Sequence, residues 1–203
     1  IKLKPHREVE YRAGQFINLF KDETTARCYS LASVPELDKE LMLHVRKVPN
    51  GIVSSWVFAD LKVGDAVNIS EANGDCFYVP GNPDQNILLL ATGTGLAPLY
   101  GIIRDAIKNG HKGKISLYHG GYNKDGLYLV KELQRLVQLH PNISYTRCVS
   151  EGEAPQGYES GTVLDAALTH HPDLSGWRVY LCGNPQMVKA ARQQTFFAGA
   201  SMR

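Results

Sequence analysis

The sequence predicts two consecutive domains: a small antiparallel β-barrel, followed by an α/β domain built on a parallel sheet. Its 203 residues and 43% hydrophobic content suit two domains of roughly 100 residues each. Short alternating or β-branched runs fill the first half, whereas continuous apolar runs alternate with helical stretches in the second. A run dense in turn-forming residues, 80–86, separates the two patterns and places the domains at residues 1–82 and 83–203.

The predicted barrel strands are short and are separated by turn signals. Alternation or β-branched content predicts strands at residues 1–3, 15–20, 27–33, 41–48 and 66–71. A helix is predicted from Ile52 to Leu61, where most residues are apolar and Gly64-Asp65 closes the element as a turn. The first half is therefore an antiparallel barrel interrupted by one helix.

Strand and helix alternate strictly in the second half. Strands are predicted at residues 87–91, 115–119, 143–149 and 179–182, and helices at 97–109, at 128–139 and after the last strand. Such alternation predicts right-handed βαβ units and a parallel sheet that helices cover on both faces.

Composition excludes several classes of function. The 22 basic and 20 acidic residues are scattered, so no long basic run indicates a nucleic-acid or anionic-membrane surface. No apolar stretch approaches the ~20 residues that span a bilayer, and the start does not resemble a signal peptide. These features predict a cytoplasmic protein that acts on small ligands or a protein partner. Both ends are abrupt, which favours a core taken from a longer polypeptide.

The cysteines and histidines predict no metal site. Four cysteines, Cys28, Cys76, Cys148 and Cys182, are too far apart for a zinc pair or a plant-type iron-sulfur cluster. Widely spaced cysteines are usually small buried residues, with Cys182 as a possible exception. The adjacent pair His170-His171 is typical of a solvated helix end.

The first candidate binding motif is Arg27-Cys28-Tyr29-Ser30, at the start of a predicted strand. Arg27 and Tyr29 alternate along the strand and should point to one face. A guanidinium suits a phosphate, and a tyrosine ring can lie against a flat heterocycle. Taken alone, the motif is a weak signal, because an arginine and a tyrosine on the outer face of a strand are usually ordinary surface residues.

The second motif is the turn Asn50-Gly51, which leads into the predicted helix with Ser54 and Ser55. The unpaired amides and positive dipole of a helix start can hold a phosphate. A serine there can also be a simple helix cap.

Two further motifs end predicted strands of the second half. Residues 88–98 run from an apolar strand through the turn Thr92-Gly93-Thr94-Gly95 into a helix with Pro98 near its start. This is a dinucleotide-type turn, although it lacks the third glycine of G-x-G-x-x-G. Residues 179–187 likewise pass through Cys182-Gly183-Asn184-Pro185 into the last helix. Ligands of open parallel sheets bind at the carboxyl ends of strands, so both turns should flank one crevice.

Together and in this order, R-x-Y-S, G-x-x-S, G-T-G-x-A-P and C-G-N-P resemble the ferredoxin-NADP reductase superfamily, most closely the reductase components of bacterial oxygenases. The resemblance covers nearly the whole chain. It implies a six-stranded antiparallel barrel that holds a flavin, FAD rather than FMN, and a second domain that binds NADH or NADPH. It also implies electron transfer to a ferredoxin-type iron-sulfur centre or an oxygenase partner. Whether a ferredoxin domain is fused to this chain in a longer protein is left open by the sequence.

Residue roles follow from the same resemblance. Arg27 would contact the flavin phosphate, Tyr29 the ribityl and ring region, and Ser30 the flavin edge near N5. Cys182 would lie beside the nicotinamide C4, which makes Ser30 and Cys182 the catalytic candidates. The remaining cofactor-binding candidates are His44, Val45 and Arg46 along the flavin, Gly51, Val53, Ser54 and Ser55 at its pyrophosphate, and Thr92, Gly93, Thr94, Gly95, Pro98, Gly183, Asn184, Pro185 and Met187 at the dinucleotide.

The nucleotide preference and the acceptor are less determined by the sequence. After the strand 115–119 the chain reads Gly120-Gly121-Tyr122-Asn123-Lys124, with neither a Ser-Arg pair for a 2′-phosphate nor a clear acidic residue for a 2′-hydroxyl. NADH is favoured because Lys124 is a poorer phosphate ligand than arginine. Alternatives are a flavin reductase or diaphorase, and a non-catalytic flavin- and nucleotide-binding electron-transfer subunit.

Overall fold

The computed structural model describes residues 1–201, and its first half consists of small antiparallel sheets. Strand β2 pairs with β3 on one side and β5 on the other, while β1 pairs with β4. An isolated bridge between Leu31 and Leu43 connects the two sheets. The strands are β1 (Lys2–Leu3), β2 (Phe16–Phe20), β3 (Ala26–Ser30), β4 (Leu41–Met42) and β5 (Asn68–Ile69). The antiparallel architecture agrees with the expectation, but the described strands do not form a clear six-stranded barrel.

The predicted strand 41–48 is much shorter than expected. Side chains alternate between buried and more exposed positions from Leu41 to His44, in line with the sequence pattern that gave the prediction. A strand also needs a backbone partner, and pairing ends after Met42 and the bridge at Leu43. The chain then enters a turn at Asn50, whose φ is 58°.

Helix α1 (Ile52–Ala59) confirms the predicted helix but not a serine cap. Gly51 occupies the N-cap position and, having no side chain, accepts no capping hydrogen bond from the helix amides. The buried Ser54 hydroxyl instead donates to the Gly51 carbonyl at 3.2 Å and accepts from the Val48 amide at 3.2 Å. The Ser54 side chain therefore links the turn at residues 48–51 to the first turn of the helix.

The second half is a five-stranded parallel sheet in the order β10-β6-β7-β8-β9. Ile87 and Leu89 of β6 pack against α2 and α3 on one face, and Leu88 and Leu90 pack against α4 and α5 on the other. The sheet is therefore buried on both sides, as continuous apolar strands predict. Its elements are β6 (Ile87–Thr92), α2 (Leu96–Lys108), β7 (Ile115–Gly121), α3 (Val130–Leu139), β8 (Ile143–Val149), β9 (Glu159–Ser160), α4 (Val163–His170), β10 (Arg178–Cys182) and α5 (Pro185–Phe197).

Sequence reasoning missed α4 and β9. The signal for α4 was present: Thr162 accepts a hydrogen bond from the Asp165 amide, and Thr-x-x-Asp is a helix-start pattern. His170, the last residue of α4, is exposed, but its Nδ1 lies 3.0 Å from the Tyr118 hydroxyl.

No helix within residues 1–201 is both long and apolar enough to cross a membrane.

Candidate functional site

A crevice of about 780 Å³ lies between the two halves, at the carboxyl ends of the parallel strands. Its volume falls in the range of small-molecule and cofactor sites. Strand β3, His44 and Arg46 contribute from the amino-terminal half, and the ends of β6, β7 and β10 contribute from the carboxyl-terminal half. The predicted site residues that line it are Tyr29, Ser30, His44, Arg46, Thr92, Gly93, Thr94, Gly95, Cys182, Gly183, Asn184, Pro185 and Met187.

Seven predicted site residues lie outside this lining, namely Arg27, Val45, Gly51, Val53, Ser54, Ser55 and Pro98. Val53 and Pro98 are buried, and Val53 belongs to the core of the amino-terminal half. Arg27 is exposed, and its Nη1 donates to the neighbouring Ala26 carbonyl at 2.9 Å. The guanidinium of Arg27 is thus directed along its own strand.

The crevice also extends past residues that were not assigned a role. They are Cys28, Ala97, Gly120, Gly121, Tyr122, Gly126, Ser150, Gly161, Thr162, Val163, Leu164, Gln186 and Ala190. Several follow β7 and β8, and the rule that ligands bind beyond the carboxyl ends of parallel strands would have selected them.

The two strand-end turns interlock through glycine. A Cβ on Gly95 would lie 2.2 Å from the Cys182 carbonyl oxygen, and one on Gly183 would lie 2.1 Å from the Thr92 Oγ1. The Asn184 amide donates to Thr92 Oγ1 at 2.8 Å. Only glycine at both positions permits this approach, which brings the ends of β6 and β10 together as one rim of the crevice.

The rim offers a suitable place for a phosphate group. Gly93 has a φ of 53°, and the nearest atom to a Cβ built there is Arg46 Nη1 at 3.9 Å. Arg46 is also the only side chain with a permanent charge that lines the crevice among residues 1–201. Bare backbone beside a guanidinium is the combination that dinucleotide phosphates require, so these residues fit such a group.

A layer of neutral aromatic groups, His44, Tyr128 and His119, lies beneath the rim and is called the floor here; His44 lines the crevice, and the other two lie behind it. His44 Nδ1 lies 2.8 Å from the Tyr128 hydroxyl, and burial lowers the pKa of His44 to about 4. His119 is fully buried, and burial lowers its pKa to about 4 although the Gly93 backbone acts in the opposite direction. Both imidazoles are therefore uncharged at neutral pH. His119 Nε2 has no hydrogen-bond partner in the described chain.

Cys182 presents a neutral thiol to the crevice. Burial raises its pKa, against a smaller lowering by the Gly183 backbone. A thiol of this kind is a poor nucleophile, because the thiolate is the reactive form. The crevice is thus suited to holding flat rings and phosphates rather than to acid–base or covalent chemistry.

Family comparisons match both halves of the chain. The family described as "Oxidoreductase FAD-binding domain" matches residues 1–78, and "Oxidoreductase NAD-binding domain" matches residues 89–193. The second match spans more than half of the chain.

The curated relatives include reductase components of multicomponent enzymes. The chain is 33% identical over 201 residues to the naphthalene 1,2-dioxygenase system ferredoxin–NAD(P)(+) reductase component of Pseudomonas putida, covering 99% of the chain and 61% of the relative. It is 36% identical over 184 residues to the aromatic O-demethylase reductase subunit of an Amycolatopsis species, covering 89% and 55%. The chain therefore spans less than two thirds of the length of these relatives.

Two solved structures illustrate the fold. A cytochrome P450 reductase from Amycolatopsis has a TM-score of 0.90 at 33% identity, covering 98% of the chain and 60% of that structure. A ferredoxin NADP⁺ reductase from Neisseria gonorrhoeae, with bound FAD and NADP, has a TM-score of 0.82 at 23% identity, covering 99% and 85%. The two-domain arrangement is thus shared with reductases of this type.

Proposed function

We propose that this chain, which belongs to the oxidoreductase family with an FAD-binding and an NAD-binding domain, is the electron-transferring core of an NAD(P)H-dependent reductase. Electrons would leave for a ferredoxin-type iron-sulfur centre or an oxygenase partner. The carrying observation is the single crevice to which Tyr29 and Ser30 contribute from one half and Gly93 and Cys182 from the other. Relatives named as ferredoxin–NAD(P)(+) reductase components of dioxygenase systems support the choice of acceptor.

The chemistry needed here is hydride transfer from nicotinamide to flavin, which the two groups supply when bound. The protein has to bind, orient and shield them. Tyr29 and Ser30 would face the flavin, and Arg46 with the Gly93 backbone would hold phosphate. The neutral Cys182 thiol would fill the space beside the nicotinamide without adding charge. Because hydride transfer demands no side-chain proton, a lining without carboxylates is compatible with this role.

Arg27 and the start of α1 lie outside the lining but keep their proposed roles at the flavin phosphates. Arg27 is exposed, so its guanidinium is free to leave the Ala26 carbonyl for a charged ligand. The backbone amides at the start of α1, after Gly51, have no side-chain cap, which supports a phosphate there. The bridge between Leu31 and Leu43 supports a closed six-stranded barrel around the core of the first half. The two family matches, which end at residue 78 and begin at residue 89, support a domain boundary near residues 82–83.

The direct test is an anaerobic absorbance titration of the FAD-loaded protein with NADH and NADPH. We expect the flavin bands to bleach near one equivalent of the better donor. Cys182→Ala should bind FAD normally and be reduced more slowly, whereas Cys148→Ala, in the core of β8 away from the crevice, should be reduced at the parental rate. Flavin that binds but is bleached by neither donor would identify a non-catalytic binding subunit instead.

A second measurement separates a reductase for a protein acceptor from a flavin reductase. After reduction, the protein is passed through a desalting column under anaerobic conditions and then mixed with a [2Fe-2S] ferredoxin. The proposed function requires that the flavin stays bound and that the ferredoxin is reduced. Loss of the reduced flavin into solution would indicate a flavin reductase or diaphorase.

A further inference from the structure

A second cavity, of about 360 Å³, lies outside the crevice, between α3 and β8. Gln134, Val137 and Gln138 form its helix wall, and Tyr145 and Arg147 form its strand wall. Positions i, i+3 and i+4 share one face of a helix, and positions i and i+2 share one face of a strand, so each wall is continuous. The volume is at the lower end of the range for small-molecule sites.

The cavity is open because the edge of the sheet is incomplete beside β8. Strand β9 has two residues and pairs only with Cys148 and Val149. Within residues 1–201, the part of β8 that carries Tyr145 and Arg147 therefore has no neighbouring strand on its outer side. Both glutamines of the helix wall are exposed, so a ligand can reach the cavity from solvent.

The guanidinium of Arg147 is held in place without being neutralised. Its Nη2 donates to the Gly157 carbonyl at 2.8 Å, and its Cζ lies 4.4 Å from the centre of the Tyr158 ring. Gly157 has a φ of 81°, and a Cβ there would lie 3.0 Å from Nη2, so glycine favours this contact. None of the ion pairs within residues 1–201 includes Arg147. Its other N–H groups are therefore available to a ligand.

The charges around the cavity favour an anion. Lys131 and Arg135 of α3 are exposed, and neither takes part in an ion pair in the described part of the chain. Each stands three positions before a glutamine of the helix wall and so adjoins it. The carboxylate of Glu159, which follows Tyr158, contacts α4 on the opposite face of the sheet, with Oε1 3.8 Å from His170 Nε2. The cavity therefore lies in a positive environment.

The rest of the lining is apolar or can form hydrogen bonds. Val137 and the Tyr145 ring are partly buried and pack against the core of the carboxyl-terminal half. Burial raises the pKa of Tyr145, Arg147 acts in the opposite direction, and no carboxylate contributes. The two glutamine side chains can donate N–H groups to an oxygen of a bound anion. A ligand that matches all of these groups has a flat apolar body and a planar anionic end.

We propose that this cavity binds a small aromatic carboxylate, with its carboxylate on Arg147 and the glutamine amides and its ring between Val137 and Tyr145. A guanidinium matches a carboxylate through two parallel hydrogen bonds. The apolar walls favour a ring and would contribute little to the binding of inorganic phosphate. No residue lines both this cavity and the crevice, and the inference does not depend on the proposed function.

The test is a titration of the FAD-loaded, ¹⁵N-labelled protein with benzoate, followed by the NMR chemical shifts of the backbone amides. We expect saturable shifts confined to α3, β8 and residues 157–158, with a dissociation constant of about 1 mM, as for a ligand of this size. Benzamide, which lacks the charge, and inorganic phosphate, which lacks the ring, should each bind at least about tenfold more weakly. Shifts confined to the crevice, or equal affinity for phosphate, would overturn the inference.

The first variant removes the charge of the site. Arg147→Gln should weaken benzoate binding at least about tenfold, in line with the loss of hydrogen bonds to a charged group. The matched control is Arg192→Gln, which removes an exposed arginine from α5 on the opposite face of the sheet and should bind benzoate like the parent. Equal weakening in both variants would mean that net charge alone attracts benzoate, and the site would be wrong.

A second variant leaves the contacts of Arg147 with Gly157 and Tyr158 in place. Gln138→Glu, at an exposed position, brings a carboxylate into the cavity and should also weaken benzoate binding about tenfold through repulsion. Its control is Gln193→Glu, at an exposed position of α5, which should bind like the parent. If Gln138→Glu bound benzoate with the parental affinity, the ligand would lie elsewhere and the inference would be wrong.

Discussion

The Nδ1 atom of His44 lies 2.8 Å from the hydroxyl oxygen of Tyr128, although 84 positions separate the two residues in the chain. The rings meet edge to face, with centroids 5.1 Å apart. His44 belongs to the amino-terminal half, and Tyr128 precedes α3 in the carboxyl-terminal half. Burial, with a smaller contribution from Cys182, raises the pKa of Tyr128, so its hydroxyl stays protonated. This hydrogen bond therefore joins the halves at the floor of the crevice.

Removing the Tyr128 hydroxyl should disturb the alignment of the flavin and the nicotinamide, which the two halves would hold. We predict that Tyr128→Phe lowers the rate of flavin reduction by NADH about two- to tenfold, which corresponds to the net free energy of one hydrogen bond. Affinity for each nucleotide should change little, because His44 and Tyr128 supply no charge. Anaerobic stopped-flow absorbance at several NADH concentrations separates the rate from the affinity.

The control for Tyr128→Phe is Tyr145→Phe. The Tyr145 hydroxyl lies 3.3 Å from His119 Nδ1, so this bond stays within the carboxyl-terminal half. We expect it to leave the reduction rate unchanged. If both variants slowed flavin reduction equally, the effect would come from the packing of the aromatic floor and not from the His44–Tyr128 hydrogen bond between the halves.

Much of this site could be predicted from the sequence because its signals are local. The apolar run at Leu88–Leu90, the glycine turn after Thr92 and the Asn184-Pro185 helix start each specify their own conformation within a few residues. Asn184 indeed accepts hydrogen bonds from the amides of Gln186 and Met187. These elements fixed the fold class and one wall of the crevice.

The remaining features depend on contacts between distant residues. Nothing near His44 in the sequence indicates Tyr128, and nothing near Gly95 indicates that it touches the Cys182 carbonyl. Strand alternation predicted that Arg27 and Tyr29 would share a face, but Tyr29 lines the crevice and Arg27 does not. Flexible exposed side chains are directed by whatever charged ligand or carbonyl is nearest, which alternation cannot describe.

A methyl group at Gly95 should separate the two strand-end turns. Gly95 has ordinary helical dihedrals, so Gly95→Ala costs nothing in backbone conformation, but its Cβ would lie 2.2 Å from the Cys182 carbonyl oxygen. We predict a loss of about 1–3 kcal/mol in the free energy of unfolding, as for other overpacked positions, and weaker nucleotide binding. Urea denaturation of the parent and of Gly95→Ala measures the change in the free energy of unfolding.

The control for Gly95→Ala is Gly126→Ala. Its Cβ would have no neighbour closer than 3.7 Å, which is ordinary van der Waals contact. Its unfolding free energy should therefore match that of the parent. The interlocked-turn interpretation is wrong if Gly95→Ala is as stable as Gly126→Ala.

A second connection between the halves is the ion pair of Asp38 and Arg104. The guanidinium donates to both carboxylate oxygens, at 2.7 and 2.9 Å, and each side chain is 19% exposed. Burial raises the pKa of Asp38, but hydrogen bonds from Arg104 and the Val34 amide exceed that effect and lower the pKa overall. The carboxylate is therefore charged throughout the neutral range, and its stabilising effect is lost only as the pH falls through the lowered pKa.

Breaking this pair should destabilise the protein at neutral pH. We predict that Asp38→Asn costs about 1.5–3 kcal/mol, the usual range for a hydrogen bond to a charged group, because Arg104 remains largely buried and loses its charged partner. Thermal denaturation at pH 7 measures the change. Glu36→Gln is the control: Glu36 contacts Lys108 at 2.8 Å but is 79% exposed, so its pair should contribute almost nothing.

The buried imidazole of His119 predicts the pH dependence of stability. The unfolded chain takes up a proton at this residue near its usual pKa of 6.5, whereas the folded chain does so only near 4. The full stability is therefore present above pH 6.5 and falls as the pH decreases from 6.5 to 4, by ~3 kcal/mol for a shift of this size. His119→Gln places an uncharged amide there and should reduce this slope by about one proton. Urea denaturation of the flavin-free chain at intervals between pH 4.5 and 7.5 gives both slopes. If the slope for His119→Gln equalled that of the parent, His119 would take up its proton in the folded chain as readily as in the unfolded chain. The conclusion that the crevice floor is uncharged would then be wrong.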